Sequence, residues 1–142
     1  MKATSRLTRH LLRAARWVPG LYPVLVLITA RRVVVRGRSM LPELAPGERA
    51  IFDRWAYLAE APRVGDVVLA RHPARPGRLF VKRVAAIIPA RDRNAHEYVL
   101  LGDNAVESTD SRTLGPFPRS HILGRAWVVY WPPERVRKLT RR

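Results

Sequence analysis

The sequence predicts one mainly β domain, built as a coiled antiparallel, barrel-like sheet. Short runs rich in β-branched residues occur at residues 48–52, 66–70, 79–88, 98–101 and 122–131, and turn-forming residues separate them. Residues 55–61 predict a short helical turn. This spacing favours an antiparallel sheet over βαβ units. The 142 residues are 47% hydrophobic and include four Trp, which is enough for one packed core.

The first segment, residues 1–32, predicts a short basic amphipathic helix followed by an apolar stretch. Ser5 can cap a helix that ends at Pro19-Gly20. Its apolar face would hold Leu7, Leu11, Ala14, Ala15 and Val18, and its basic face Arg6, Arg9, Arg13 and Arg16. The apolar stretch reaches Ala30 and contains Pro23; counted from Trp17 it has 14 residues, fewer than the roughly 20 of a spanning helix. We therefore expect an interfacial or marginal membrane anchor.

Most of the positive charge lies at the two ends of the chain. There are 27 Lys and Arg against 11 Asp and Glu, a net charge of +16. Residues 1–38 carry nine basic and no acidic groups, and residues 133–142, a predicted basic tail, carry five basic and one acidic group. The body between them is close to neutral. Basic ends beside apolar segments suit an anionic membrane surface, whereas a nucleic-acid-binding domain more often carries its charge on the folded face. We expect no nucleic acid partner.

The body begins with a stretch that can present a nucleophile. The valines at 33–35 favour a strand, Gly37 allows a sharp turn, and Ser39 follows before Pro42 stops regular structure. A serine at such a corner can point its hydroxyl into a cleft. By itself the pattern is equally that of an ordinary loop.

The long strand predicted at 79–88 contains Lys82 within an apolar run. Burial disfavours the ammonium form, so an apolar wall lowers the pKa of a lysine and yields an amine that can accept a proton. Ser-Lys pairs of this kind are a known variant of the serine hydrolase arrangement. The alternative is that Lys82 and Arg83 alternate on the strand and one of them reaches water.

A third stretch completes a recognisable set of motifs. Residues 101–112 read LGDNAVESTDSR, and a GDVV element lies at 65–68, between the serine and this stretch. With GRSMLP at 37–42 and FVKRV at 80–84, these motifs resemble, in order, those of the signal peptidase I family of membrane-linked serine endopeptidases. The resemblance covers residues 33–131. It implies the coiled antiparallel barrel-like fold of that family, a peptidase domain at 33–132, and no cofactor. Family members usually carry spanning helices at the N-terminus, and this chain departs from them there.

The resemblance also implies roles for particular residues. Ser39 aligns with the nucleophile, Lys82 with the general base, and Ser108 with the hydroxyl that orients the lysine. Asp110 and Arg112 align with a pair that braces the loop. The turn expected to position this loop is formed by Gly102, Asp103 and Asn104. The expected walls of the substrate groove are Val35, Arg36, Gly37, Met40, Phe80 and Val81.

Two positions depart from the family pattern. Some relatives add an oxyanion-stabilising serine three residues before the nucleophile, where this chain has Arg36. Only the backbone N–H of Ser39 can then be named as an oxyanion donor. Glu107 stands where many relatives have asparagine, and a solvated loop charge is its simplest interpretation.

The four histidines show no ligand spacing and there is no cysteine, so no metal site is predicted.

Three functions remain open at this point. The short body, the Arg71-His72-Pro73 loop and the form of the third motif are most similar to the nickel-type superoxide dismutase maturation proteases, which implies a precursor of that dismutase as substrate. A general leader peptidase acting on secretory preproteins is the second. A non-enzymatic basic protein that binds lipid or nucleic acid is the third. The protease would be associated with the membrane through its N-terminal segment, or cytoplasmic.

Overall fold

The computed structural model describes residues 18–92 and 95–142. The helix predicted from Ser5 falls almost entirely on residues 1–17, outside the described residues. The apolar stretch that follows it forms helix α1 (Leu21–Thr29), which starts after Gly20, a residue at φ 87°. Glycine populates such a positive φ at little cost. None of the helices in the described part of the chain has the length and apolar character needed to cross a bilayer.

Eight antiparallel strands form a single sheet, which confirms the mainly β prediction. The sheet path is β1-β2-β7-β3-β4-β5-β6, with β8 beside β7. It is open, since β1 and β6 stand at its two ends. The strands are β1 (Arg31–Val34), β2 (Arg49–Asp53), β3 (Val67–Arg71), β4 (Leu79–Pro89), β5 (His96–Leu101), β6 (Phe117–Pro118), β7 (Ile122–Trp131) and β8 (Arg137–Lys138).

Short helical turns connect several of the strands. Helix α2 (Ala56–Ala59) follows β2, within the predicted helical turn, and helix α3 (Ser111–Leu114) follows the third motif. The remaining turns are 3₁₀ helices at Ala105–Glu107, Arg119–His121 and Pro133–Arg135. Strand β7 has the predicted bounds, while β6, β8 and α3 were not predicted. The two-residue strands β6 and β8 are too short to show hydrophobic periodicity, and α3 is a single turn that follows a loop motif.

Alternation along β4 assigns its side chains to two separate cores. Phe80 and Val84 face a core with Val68, Leu100 and other side chains, whereas Val81 packs against a second core on the other face. Since side chains two apart lie on the same face of a strand, Lys82 projects to the face of Phe80 and Val84. The register of β4 therefore places a lysine within an apolar wall.

The predicted basic tail is docked on the body of the domain. Strand β8 pairs with β7, and the backbone N–H of Leu139 donates to the carbonyl of Trp127 at 3.0 Å. Arg137 donates to both carboxylate oxygens of Glu48, at 2.8 and 3.0 Å, and Glu48 is only 2% exposed. Arg141 pairs with the buried carboxylate of Asp66. Part of the charge of this segment is thus neutralised within the domain.

Candidate active site

Ser39 and Lys82 meet although they are 43 positions apart in the chain. Ser39 lies in the turn that follows β1, and Lys82 is the fourth residue of β4. The Lys82 Nζ donates to the Ser39 Oγ at 2.8 Å. Lys82 is 3% exposed. The two groups are therefore within proton-transfer distance in a largely dehydrated environment.

The surroundings of Lys82 favour its neutral form. Burial lowers the pKa of Lys82, the nearby carboxylate of Asp110 opposes this, and the charges of Arg112 and Arg78 lower it further. The Phe80 ring lies beside the amine, with its centroid 5.5 Å from Nζ. Desolvation is the main cause of the shift, as expected for a lysine inserted between two core residues. A neutral amine at this position can accept a proton from the serine.

The predicted positioning turn holds the loop that carries Ser39. The backbone N–H of Asn104 donates to the Ser39 carbonyl at 2.9 Å, and its side-chain amide donates to the Arg38 carbonyl at 3.2 Å. A Cβ at position 102 would lie 2.6 Å from the same Ser39 carbonyl and 2.2 Å from the Ser108 Oγ. Gly102 is thus required by the close approach of these groups.

Asp110 is the centre of a hydrogen-bond network under the site. It is fully buried and accepts from the Gly102 N–H at 2.9 Å, the Ser108 hydroxyl at 2.6 Å and the Arg112 guanidinium at 2.6 and 2.9 Å. Burial alone would raise the pKa of this carboxyl. The hydrogen bonds from Arg112, Gly102 and Ser108 outweigh burial and hold the pKa of Asp110 well below its ordinary value.

The structure gives Ser108 a different immediate partner from the one the family resemblance implies. Its hydroxyl donates to Asp110. Within the described residues, the side-chain amine of Lys82 has a hydrogen bond only to Ser39. Ser108 lies beside Gly102 and hence close to the Ser39 loop. Orientation of the lysine by Ser108 stays a prediction; the Asp110 carboxylate that binds Ser108 acts on Lys82 through its charge, which raises the pKa of the lysine.

Arg83 belongs to the FVKRV motif, but the sequence analysis gave it no role in the site. It donates to both carboxylate oxygens of Asp103, at 2.8 and 2.7 Å, to the Gly65 carbonyl at 2.9 Å and to Glu43 at 3.3 Å. This network ties the strand of Lys82 to the turn that holds Ser39. The only sequence signal was the adjacency of Arg83 to Lys82, because no spacing rule pairs residues 83 and 103.

The predicted groove residues divide into exposed and buried groups. Arg36 and Gly37 are exposed beside Ser39, and Val81 is partly buried. The remaining three are less than a tenth exposed and belong to the two cores: Val35, Met40 and Phe80. Of the predicted groove residues, only Arg36, Gly37 and part of Val81 are therefore accessible to solvent.

Glu107 lies at the surface and pairs with Arg38. Their side chains are 3.5 Å apart, and they are 44% and 63% exposed, respectively. The main influences on the pKa of Lys82 are burial, which lowers it, and the charges of other residues, Asp110 and Arg112 first among them. The surface position of Glu107 fits a solvated loop charge.

No cluster of three or more metal-binding side chains exists among residues 18–92 and 95–142.

Comparison with known proteins places these residues in context. A family model described as "Signal peptidase, peptidase S26" matches residues 9–91 and 89–131. The mitochondrial ATP-independent inner membrane protease subunit 1a of Arabidopsis thaliana is 35% identical over 117 residues, covering 70% of this chain and 70% of the relative. The mitochondrial inner membrane protease subunit 2 of Saccharomyces cerevisiae is 30% identical over 159 residues, covering 94% and 85%. Signal peptidase I of Leptolyngbya laminosa is 28% identical over 144 residues, covering 74% and 70%.

Proposed function

The chain belongs to the signal peptidase family, peptidase S26, a family of serine-type endopeptidases, and on this basis we propose that Ser39 and Lys82 form its catalytic dyad. The observation that carries the proposal is the 2.8 Å separation of Lys82 Nζ and Ser39 Oγ at a buried position. Burying a lysine that has no hydrogen bond to a carboxylate lowers stability. A role as catalytic base would explain why the lysine is nevertheless buried. The proposed reaction is removal of a leader peptide from a protein precursor.

The first half of the proposed reaction forms an acyl-enzyme. The neutral Lys82 amine takes the Ser39 hydroxyl proton as Oγ attacks the scissile carbonyl carbon, giving a tetrahedral oxyanion and an ammonium group. The intermediate then collapses, the carbon–nitrogen bond breaks, and Lys82 returns its proton to the leaving amine. The mature protein departs with a new N-terminus.

The second half regenerates the enzyme. Water attacks the ester between the leader and Ser39 while Lys82 again accepts a proton, and the proton is returned to Oγ as the leader leaves with a free carboxylate. The Ser39 backbone N–H makes no hydrogen bond within the described part of the chain, so it is available as an oxyanion donor. Arg36, three residues before the nucleophile, is an exposed cation at the position where some relatives have a donor serine.

For the substrate, we propose the precursor of nickel-type superoxide dismutase. The support is the similarity of the short body, the Arg71-His72-Pro73 loop and the third motif to the maturation proteases of that dismutase. In the structure the imidazole of His72 in this loop is buried, and its ring centroid lies 4.9 Å from that of Phe80. A general leader peptidase fits the dyad equally well, and the names of the relatives, inner membrane proteases and a signal peptidase, favour it. The two candidates differ in which precursor is cut.

Sequencing the product N-terminus distinguishes these two substrates. The purified chain would be incubated with a nickel superoxide dismutase precursor or with a secretory preprotein, and the new N-terminus determined. We expect one internal cut near the N-terminus of the dismutase precursor and no cut with Ser39→Ala. Efficient processing of the preprotein alone would replace the dismutase assignment with the general one. A cut that persists in Ser39→Ala would overturn the proposed dyad.

We also propose that the protein attaches to an anionic membrane surface. Helix α1 exposes Leu21, Val24, Leu27 and Ile28, the last of them 77% exposed, and Arg31 and Arg32 follow it. Apolar side chains beside arginines suit the headgroup region of such a surface. Because charge attraction is screened by salt, washing membranes with about 1 M salt should release most of the protein. Release by detergent alone would contradict surface attachment and indicate insertion.

A further inference from the structure

The loop between β3 and β4 is strongly basic and lies next to the dyad. Residues 67–90 contain no Asp or Glu. Arg71 at the end of β3 and the loop residues Arg75 and Arg78 are exposed. Its backbone is fixed by two hydrogen bonds, from the His72 N–H to the Arg78 carbonyl and from the Arg78 N–H to the Arg75 carbonyl, both at 2.9 Å. The loop therefore presents its arginines from a defined position.

Arg78 is the arginine of this loop that shares a neighbour, the Phe80 ring, with the Lys82 amine. Its guanidinium carbon lies 5.6 Å from the centroid of the Phe80 ring, and the Lys82 Nζ lies 5.5 Å from the same centroid. The charge of Arg78 is close enough to lower the pKa of Lys82. No carboxylate of the described residues forms an ion pair with Arg78. A substrate carboxylate could therefore pair with this cation.

A second available cation lies in the segment that leads to Ser39. Arg36 is exposed three residues before Ser39 and has no ion-pair partner in the described chain. Arg38, two residues further along the chain, is already paired with Glu107, and Arg112 is paired with Asp110. Arg36 and Arg78 are thus exposed cations with no ion-pair partner among the described residues, whereas Arg38 and Arg112 are paired.

We propose that Arg78 and Arg36 are specificity-determining residues that bind carboxylate side chains of the precursor close to the scissile bond. The inference rests on the proposed function and adds the substrate class, namely precursors with Asp or Glu at fixed positions around the cleavage site. An extended peptide rises about 3.3 Å per residue, so a side chain a few positions from the scissile bond can reach a cation about 10 Å away. Guanidinium groups bind carboxylates in a bidentate geometry, which gives positional selectivity.

Cleavage of a proteome-derived peptide library tests this inference, because such a library samples every residue type around the scissile bond. The wild type, Arg78→Gln, Arg36→Gln and Ser39→Ala would be compared, with Arg91→Gln as the matched control. Arg91 is also exposed but follows the far end of β4, and Pro89 at that end is seven strand residues, about 23 Å, from Lys82. The readout is the frequency of Asp and Glu at each position around the cut sites.

We expect the wild type and Arg91→Gln to enrich acidic residues about five-fold at defined positions, the size of effect of one exposed ion pair. Arg78→Gln should lose the enrichment at one position and Arg36→Gln at another. A loss of overall stability would not change a preference at a single position. Absence of acidic enrichment in the wild type, or an unchanged preference in both variants, overturns this inference alone. Cleavage that survives in Ser39→Ala, or no cleavage by the wild type, overturns the proposed function and this inference with it.

Discussion

Lys82→Met should reduce kcat/KM for precursor cleavage by about 10⁴-fold or more while the domain remains folded. The substitution removes the only group within hydrogen-bonding distance of the Ser39 hydroxyl, among the described residues, that can accept its proton. Methionine has a similar length and no charge, and it suits the apolar face between Phe80 and Val84. Since the ammonium form is disfavoured by burial, we expect the free energy of unfolding near neutral pH to be unchanged or higher than in the wild type.

The pH dependence of the wild type provides a second measure of the same group. In the proposed mechanism the reactive form of Lys82 is the neutral amine, so kcat/KM should rise with pH as the ammonium loses its proton. The midpoint should lie below the ordinary lysine pKa of about 10.4, because burial lowers the pKa of Lys82. The exposed Lys138 provides the control, since Lys138→Met should leave the rate and its pH profile unchanged. Residual activity within tenfold of the wild type in Lys82→Met would contradict the assignment of the base.

Asp110→Asn should lower the free energy of unfolding by about 3 kcal/mol. The carboxylate is fully buried and accepts hydrogen bonds from Gly102, Ser108 and Arg112, so a neutral amide leaves the guanidinium unpaired and some donors unsatisfied. Denaturant unfolding monitored by circular dichroism measures the loss. The exposed Glu134 is a suitable control, and Glu134→Gln should change stability by less than about 0.5 kcal/mol.

Two pH effects distinguish the role of Asp110 from general destabilisation. The pKa of Asp110 is lower in the folded state than in the unfolded state. Its contribution to the free energy of unfolding is therefore fully present above the unfolded-state pKa of about 3.9, and it is lost progressively as the pH falls from there toward the folded-state pKa. The stability difference between wild type and variant should shrink in acid. In addition, the Asp110 carboxylate raises the pKa of Lys82, so its removal should shift the pH–rate profile to lower pH. An unchanged profile would show that the network does not act on the base.

The fold was largely predictable because its signals are local. Strand β7 was predicted with its observed bounds, and the long apolar run of β4 was displaced by one residue at one end only. The strands of two residues, β6 and β8, escaped prediction because pairing with β5 and β7, and not their own composition, makes them strands. The arginines of residues 137–142 could not be assigned either, since their carboxylate partners Glu48, Glu43 and Asp66 are distant in the chain.

Residue types alone identify the chemical groups of the candidate site: a serine after a valine-rich strand, a lysine within an apolar run, and the Gly-Asp-Asn and Asp-Ser-Arg motifs. These conclusions depend on residue types and on strand alternation, which are local properties. The contacts between the groups could be seen only in the folded chain, where the Lys82 amine reaches Ser39, Ser108 bonds to Asp110, and Arg83 ties its strand to Asp103. Each of these contacts depends on strand register and on the path of a loop, and a register shift of one residue would turn Lys82 to the opposite face of the sheet.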